Sequence, residues 1–191
     1  MGCDIHLYKE KQISGVWVTA DEWKPDEYEP GRMEVPWEKR FTGRNYELFG
    51  LLSKGVRRDH PFSFPERGVP YSACAEYKAE VENWGADGHS HSYLYLHELK
   101  DLLADLEAQK IRITGMKHKD DLDKLNESIA SGSPDWSLLF PYCQMTTDKT
   151  WVEFSADVPA SFYVGDSLKE IIAGFDGIDG DNHRIVFFFD N

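Results

Sequence analysis

The chain has 191 residues, of which 41% are hydrophobic and 14% aromatic, so it is too rich in core-forming side chains to be disordered. Its net charge of -13 opposes direct contact with nucleic acid or an anionic membrane, because both contacts depend on Lys and Arg. Three cysteines without a CxxC pair argue against a disulfide framework and favour a reducing cytoplasm, and no apolar run approaches the roughly 18 residues of a membrane span.

The N-terminal residues predict a β-hairpin followed by a long loop. Residues 3–10, CDIHLYKE, alternate apolar and polar side chains, as a half-buried strand does. The two sides are Cys3, Ile5 and Leu7 on one and Asp4, His6 and Tyr8 on the other. GVWVTADEW, after a Ser-Gly turn, predicts the partner strand. Residues 24–40 hold three prolines among many charges and predict a surface loop without a regular ladder or helix.

The middle of the chain predicts helices. Residues 44–54 and 73–84 carry apolar side chains at helical spacing, with Gly55 as a C-terminal cap of the first. Leucines at residues 94–106 recur with a 3.6-residue period and predict a third helix. Residues 119–130 predict another, ended by a break that contains Gly, Ser and Pro.

The C-terminal third predicts strands. WVEFSADV, SFYV and RIVFFFD are rich in aromatic and β-branched residues, and SLKEIIAGF predicts a short helix among them. Residues 174–183 predict a tight turn rather than a calcium loop, because Arg184 stands where an EF-hand requires Gly. Strands at both chain ends with helices between them predict an α+β fold over residues 1–191 as a single domain, with a mixed or mostly antiparallel sheet and helices on one face.

The stretch WGADGHSHS, residues 84–92, is the first candidate site. In an extended segment Asp87, His89 and His91 would project to the same side, and such ligands suit zinc, manganese or iron. The alternative is a polar turn in which Ser90 or Ser92 caps the following helix.

The first predicted strand carries a second Asp-x-His pair, Asp4 and His6. If the two pairs meet, they predict one site with a divalent metal, zinc or manganese, or an acid/base centre. The pattern D-x-H-x-H also resembles the first metal motif of the polymerase-and-histidinol-phosphatase hydrolases. Those enzymes open with the motif, whereas here it lies in mid-chain, so we do not expect their fold.

Cys3 is a candidate nucleophile beside one of these histidines, oriented by Asp4 or Asp87. The strand alternation gives the competing interpretation, in which Cys3 is a small buried thiol on the side of Ile5 and Leu7.

Basic residues are scarce, and five arginines fall within one stretch: Arg40, Arg44, Arg57, Arg58 and Arg67. Guanidinium groups suit phosphates and carboxylates, so Arg44 and Arg57, with Asn45 beside them, are candidates for binding an anionic substrate. The alternative is that these arginines pair with the surplus carboxylates of an acidic chain.

Four motifs occur in a fixed order over about the first hundred residues: MGCDIHLY, GRNYELFGLL followed by VRR, the GVPYS turn and WGADGHSHSYLYLHEL. In these motifs the chain resembles a family of proteins from phages, prophages and bacteria for which no activity is established. The resemblance implies a phage or prophage setting and supports Cys3, Asp4, His6, Arg44, Asn45, Asp87, His89 and His91 as a group. It implies no reaction.

Two functions follow from these residues. The first is a metal-assisted hydrolase of a phosphate ester or nucleotide-like anion, with the Asp and His residues as metal ligands or acid and base. The second is a binding protein without turnover that sequesters a nucleotide signal or a host defence protein, and an acidic mimic of DNA is a third possibility.

Overall fold

The computed structural model describes residues 2–132, 134–175 and 181–191. It divides into two compact units, one of Met1–Leu103 with Val164–Asn191 and one of Ala104–Tyr163, and each is described by itself. The organisation of residues 1–191 as a single domain stays a prediction. The turn expected at residues 174–183 falls largely on 176–180, which lie outside the described residues.

Four strands and two α-helices come first, and strands and α-helices alternate from residue 89 onward. The strands are β1 (Asp4–Ile13), β2 (Val16–Thr19), β3 (Lys24–Pro25), β4 (Met33–Glu34), β5 (His89–Tyr95), β6 (Lys110–His118), β7 (Trp151–Pro159) and β8 (His183–Asp190). The α-helices are α1 (Tyr46–Leu52), α2 (Ala75–Trp84), α3 (Leu96–Ala108), α4 (Lys119–Ala130) and α5 (Ser167–Ala173). None of these described helices has both the length and the apolar character that a membrane crossing requires.

The first unit is built on an antiparallel sheet with the strand order β2-β1-β8-β5. Its central strand, β8, carries the run HRIVFFFD and is buried from His183 to Phe189. A run of apolar residues without alternation is expected where both faces of a strand are covered. The α+β class and the antiparallel pairing of N-terminal and C-terminal strands are therefore confirmed.

Helices cover both faces of this sheet. On one face the α1 residue Phe49 packs its ring 5.2 Å from that of Phe189. On the other face the α2 residue Tyr77 lies 6.3 Å from Phe188, and its hydroxyl donates a 3.0 Å hydrogen bond to the carbonyl of Phe187. The sheet is thus the middle layer of the unit, and helices flank it on two sides instead of the one expected.

The hairpin and the first two helices lie where the sequence predicts them. The loop at residues 24–40 is more ordered than expected, because it holds the short β3–β4 pairing and a 3₁₀ turn at Trp37–Lys39. Helix α1 ends with Ser53 as its C-cap, two residues before the expected Gly55.

The segment after the HSH motif differs from the prediction. Residues His89–Tyr95 form strand β5, and helix α3 begins only at Leu96, so Leu94 belongs to the strand. Ser90 and Ser92 therefore do not cap the helix. The aromatic residues of HSHSYLY suit a strand, and pairing with β8 outweighs the leucine period at this point.

The second unit contains a two-stranded ladder, β6 with β7, and helix α4. Its core is formed by Ile113, Leu125, Leu139, Phe154, Ala156 and Val158. Helix α4 and strand β7 were predicted, whereas strand β6 was missed. The predicted strand SFYV is instead part of a 3₁₀ turn at Ala160–Tyr163.

Candidate functional site

The two Asp-x-His segments lie on strands that are not neighbours. Asp4 and His6 are on β1 and His89 and His91 on β5, and β8 runs between these strands. Two strand spacings separate β1 from β5 by about 10 Å.

A β-bulge interrupts β5 within the motif itself. The pairing with β8 shifts between His89 and Ser92, so Ser90 and His91 both lie opposite Phe188. Ser90 has a φ of 51°, a left-handed conformation that is uncommon for a residue with a side chain.

The bulge sends the two motif histidines to opposite faces of the sheet. The ring of His91 lies 5.2 Å from that of Phe188, and the ring of His89 lies 6.2 Å from that of Phe189. Since consecutive residues of β8 face opposite sides, the expectation that His89 and His91 project together is wrong.

Asp87 is exposed and belongs to a 3₁₀ turn at Gly85–Asp87, before the strand begins. The next residue, Gly88, is packed so closely that a Cβ there would lie 3.2 Å from the ring of Phe188 and 3.3 Å from Trp84. The glycine of the motif thus permits a close backbone approach.

His6 and His91 share one face of the sheet, but Phe188 lies between them. The ring of His6 stacks on Phe188 at 4.7 Å, and His91 contacts the same ring at 5.2 Å. Ligands of one ion near 2 Å each must have donor atoms that nearly touch, which an intervening aromatic ring prevents. Across residues 2–132, 134–175 and 181–191, no three His, Cys, Asp or Glu side chains are grouped to hold a metal.

His6 has a different partner, Asp190 at the end of β8. His6 Nε2 lies 3.5 Å from Asp190 Oδ2, and the imidazole also packs 4.2 Å from the indole of Trp84. Burial lowers the pKa of His6, and Asp190 offsets part of that effect. Burial thus favours the neutral form of His6, which has a carboxylate beside one ring nitrogen.

Asp4 is bound by Arg44. The guanidinium reaches both carboxylate oxygens, with 2.8 Å between Arg44 Nε and Asp4 Oδ1 and a second contact between Nη2 and Oδ2. These hydrogen bonds lower the pKa of Asp4. The pair is half exposed, so solvent screens it.

Asp4, His6, Arg44 and Asp190 line one cavity of about 400 Å³, which we call the His6 cavity. Its other lining residues are Ile5, Trp37, Arg40, Phe41, Thr42 and Gly43. The cavity therefore lies between the start of β1 and the loop that precedes α1.

This loop supplies an aromatic ring and a second guanidinium. Trp37 is 71% exposed, which is unusual for an indole and leaves its face open to a solute. Arg40 is held by Glu34 and by the carbonyl of Val35. The cavity thus combines a free aromatic surface with two arginines, a histidine and two carboxylates.

Cys3 lies away from this cavity. It is 1% exposed, and burial raises the pKa of its thiol, partly offset by Arg57. Arg57 also donates hydrogen bonds to the carbonyl of Gly2 and, at 2.9 Å, to Asn191 Oδ1. Asn191 in turn lies 3.0 Å from Nε2 of His89. Burial and the raised pKa both work against a thiolate nucleophile at Cys3.

Most of the arginine stretch pairs with carboxylates. The pairs are Arg40 with Glu34, Arg44 with Asp4, Arg58 with Glu47 and Arg67 with Glu98. Asn45 is the N-cap of α1, where its side-chain oxygen accepts hydrogen bonds from the backbone of Glu47 and Leu48. Of the three predicted anion-binding residues, Arg44 lines the His6 cavity, whereas Arg57 and Asn45 are not among its lining residues.

Asp190 and Trp37 line the cavity but were not predicted as site residues from the sequence. Asp190 ends the predicted strand RIVFFFD, and only the register that pairs it with Asp4 brings it to His6. Trp37 lies in a proline-rich stretch that reads as surface loop. A large aromatic residue in a charged loop is the one signal that could have marked it.

Comparison of the chain with family models, with curated proteins and with solved structures returned no match. The assignment of a function therefore depends on the His6 cavity alone.

Proposed function

We propose that the His6 cavity binds a small anion that carries an aromatic ring, of which a nucleotide is the natural example. The observation that supports this proposal is the meeting of an exposed indole, Trp37, with the guanidinium groups of Arg40 and Arg44 in one cavity of about 400 Å³. Cavities of this size hold small ligands and cofactors.

The pairing of Arg44 with Asp4 does not oppose this function. An exposed ion pair contributes only about 0–1 kcal/mol, so giving it up costs little. A phosphate can accept the same two guanidinium hydrogen bonds in place of Asp4. Asp4, which is half exposed, can then turn to solvent or accept from the ligand.

Trp37 supplies the second half of the recognition. Stacking of a base on an aromatic side chain contributes about 1–3 kcal/mol and depends little on the identity of the base. Together these contacts favour a ligand with a planar ring at one end and a phosphate at the other. This is a binding function, and it agrees with the sequestration of a nucleotide signal.

The test is calorimetric titration of the protein with a panel of linear and cyclic nucleotides. We expect at least one to bind, and Arg44→Ala to weaken that binding about 10- to 100-fold. The matched control is Arg112→Ala, because Arg112 forms a comparably exposed ion pair with Asp157. Equal affinities in the wild type and Arg44→Ala would rule out the assignment.

A second function, hydrolysis of a phosphate ester, is favoured by the contact between His6 and Asp190. With Nε2 buried beside the carboxylate, Nδ1 is the nitrogen left to accept a proton from water. The resulting hydroxide would attack the phosphorus, the bond between phosphorus and the ester oxygen would break, and the leaving oxygen would take the proton from the His6 imidazolium, which returns the histidine to its neutral form. An enzyme consumes the bound nucleotide, and His6→Gln abolishes that loss. A sequestering protein returns the nucleotide intact after denaturation.

The metal-assisted version of this reaction stays a prediction. If zinc or manganese binds near the cavity, Asp4, His6 and Asp190 are the nearest donors, and the histidines of β5 are not among them. Elemental analysis of the purified protein, with melting temperatures measured before and after addition of each metal, tests this version. Absence of bound metal together with an unchanged melting temperature would exclude it.

The biological setting also stays a prediction. The three cysteines are free, in agreement with a reducing compartment such as a host cytoplasm. A phage or prophage origin depends on the motif resemblance. A host protein as partner is testable by pull-down with Arg44→Ala as the comparison, since a partner bound elsewhere would be captured equally by both forms.

A further inference from the structure

A second cavity, of about 240 Å³, adjoins the His6 cavity, and we call it the Lys9 cavity. Its lining includes Leu7, Lys9, Asp21, Lys39 and Glu170. Arg40 and Phe41 line both cavities and therefore form the boundary between them.

Both cavities follow the same open edge of β1. The carbonyl of Lys9 accepts from the backbone of Ala20, and its N–H donates to Asp21, so its backbone groups point away from β8. In a strand, the backbone N–H and C=O groups of every second residue point to the same edge. The N–H and C=O groups of Leu7 and Ile5 therefore point to the same edge as those of Lys9. Strand β2 pairs only from Glu10 onward, which leaves this part of the edge to the cavities.

The Lys9 cavity is the more basic of the two. It is lined by three cations, Lys9, Lys39 and Arg40, against the two carboxylates Asp21 and Glu170. The ammonium group of Lys9 already has two partners within the protein, since its Nζ lies 3.3 Å from Asp21 Oδ1 and 3.2 Å from the carbonyl of Gly174. Lys39 is exposed and, within the described part of the chain, forms no ion pair. This excess of one lining cation contrasts with the net charge of -13 of the whole chain.

We infer that the ligand of the His6 cavity carries more than one phosphate, as a nucleoside triphosphate does, and that its distal phosphates extend past Arg40 to Lys39 and Lys9. This inference rests on the proposed function and adds the class of ligand. The base stacks on Trp37 and the proximal phosphate meets Arg44, while the chain of phosphates follows the edge of β1. The N–H groups of Ile5 and Leu7 are additional donors along that path.

The test compares the affinities of a nucleoside monophosphate and the matching triphosphate by calorimetry. The variants are Lys39→Gln and the control Lys54→Gln, which removes the same charge from an exposed lysine that lines neither cavity. We expect the wild type to bind the triphosphate at least about tenfold more tightly. We expect Lys39→Gln to remove most of that preference and to leave monophosphate binding unchanged, and Lys54→Gln to behave as the wild type.

Each other outcome has a distinct meaning. Monophosphate binding with no preference for the triphosphate, or an equal loss for both ligands in Lys39→Gln, would overturn the inference and leave the proposed function standing. Equal losses in Lys39→Gln and Lys54→Gln would assign the preference to overall charge and also overturn it. If no nucleotide binds at all, the proposed function fails together with the inference. Melting temperatures of both variants confirm that they fold.

Discussion

The two Asp-x-His segments of this chain have the same types of side chain, but the structure arranges these side chains differently. Asp4 and His6 lie on a regular strand, share one face and line a cavity with Asp190. His89 and His91 lie on a bulged strand and point to opposite faces. Spacing by two residues therefore predicts a common direction only while the strand is regular, and a single residue with positive φ is enough to cancel it.

The largest expected effect concerns Trp37, which lines the same cavity as the first segment, Asp4 and His6. We expect Trp37→Ala to weaken nucleotide binding by about tenfold or more, because the stacking contribution is lost. The exposure of Trp37 makes a change in stability small. Calorimetry measures the affinity, and Tyr71→Ala is the control, because Tyr71 is 98% exposed and lies outside the cavity.

The same titration applied to His89→Ala should give the wild-type affinity within about twofold, a difference too small to represent a lost contact. A tenfold loss in His89→Ala would instead place the ligand at β5, and the contrast between the two segments would fail.

The next effect concerns the bulge. We expect Ser90→Val to lower the free energy of unfolding by about 1–2 kcal/mol, because a β-branched residue tolerates a φ of 51° poorly. Ser155→Val, at an exposed position of the regular strand β7, should be nearly neutral or slightly stabilising. Urea unfolding of the two variants measures both changes. A neutral Ser90→Val would mean that β5 is regular in solution.

The smallest effect is in the pH dependence of stability. Burial lowers the pKa of both His6 and His91 in the folded state, so the unfolded state binds these protons more readily. Stability should therefore fall as the pH decreases below the unfolded value of about 6.5. Substitution of either histidine by Gln should remove the contribution of that histidine to the dependence of the unfolding free energy on pH.

Addition of a saturating anion distinguishes the two histidines. A phosphate in the His6 cavity favours the protonated form of His6 and should flatten its share of the slope, while that of His91 is unchanged. Urea unfolding at several pH values with and without nucleotide measures this difference. An identical response of both histidines would contradict the placement of the ligand.

Much of the fold could be predicted, because local patterns encode it. The alternation of CDIHLYKE, the run RIVFFFD and the helical period of residues 119–130 all correspond to observed elements. Strand β6 was missed because KIRITGMKH contains a glycine and several charges that weaken its alternation. Leu94 was assigned to the helix that follows because it fits the leucine period of that helix.

The candidate site could be predicted only in part. Asp4, His6 and Arg44 were identified from their chemistry, and they do line one cavity. Asp190 and Trp37 arrive there through strand register and through the course of an irregular loop, which a single sequence does not encode in any short pattern. The positive φ of Ser90 could not be predicted either, because serine, unlike glycine, does not indicate a left-handed backbone conformation.

The open edge of β1 has a consequence for self-association. An uncovered strand edge can pair with the edge of another chain and seed aggregation. Here residues 35–44 lie along that edge with a proline and several charges, which cannot continue a ladder. The loop that forms the ligand cavities therefore also prevents strand pairing between two chains. Shortening this loop should expose the edge of β1 and allow a second copy of the protein to pair with it.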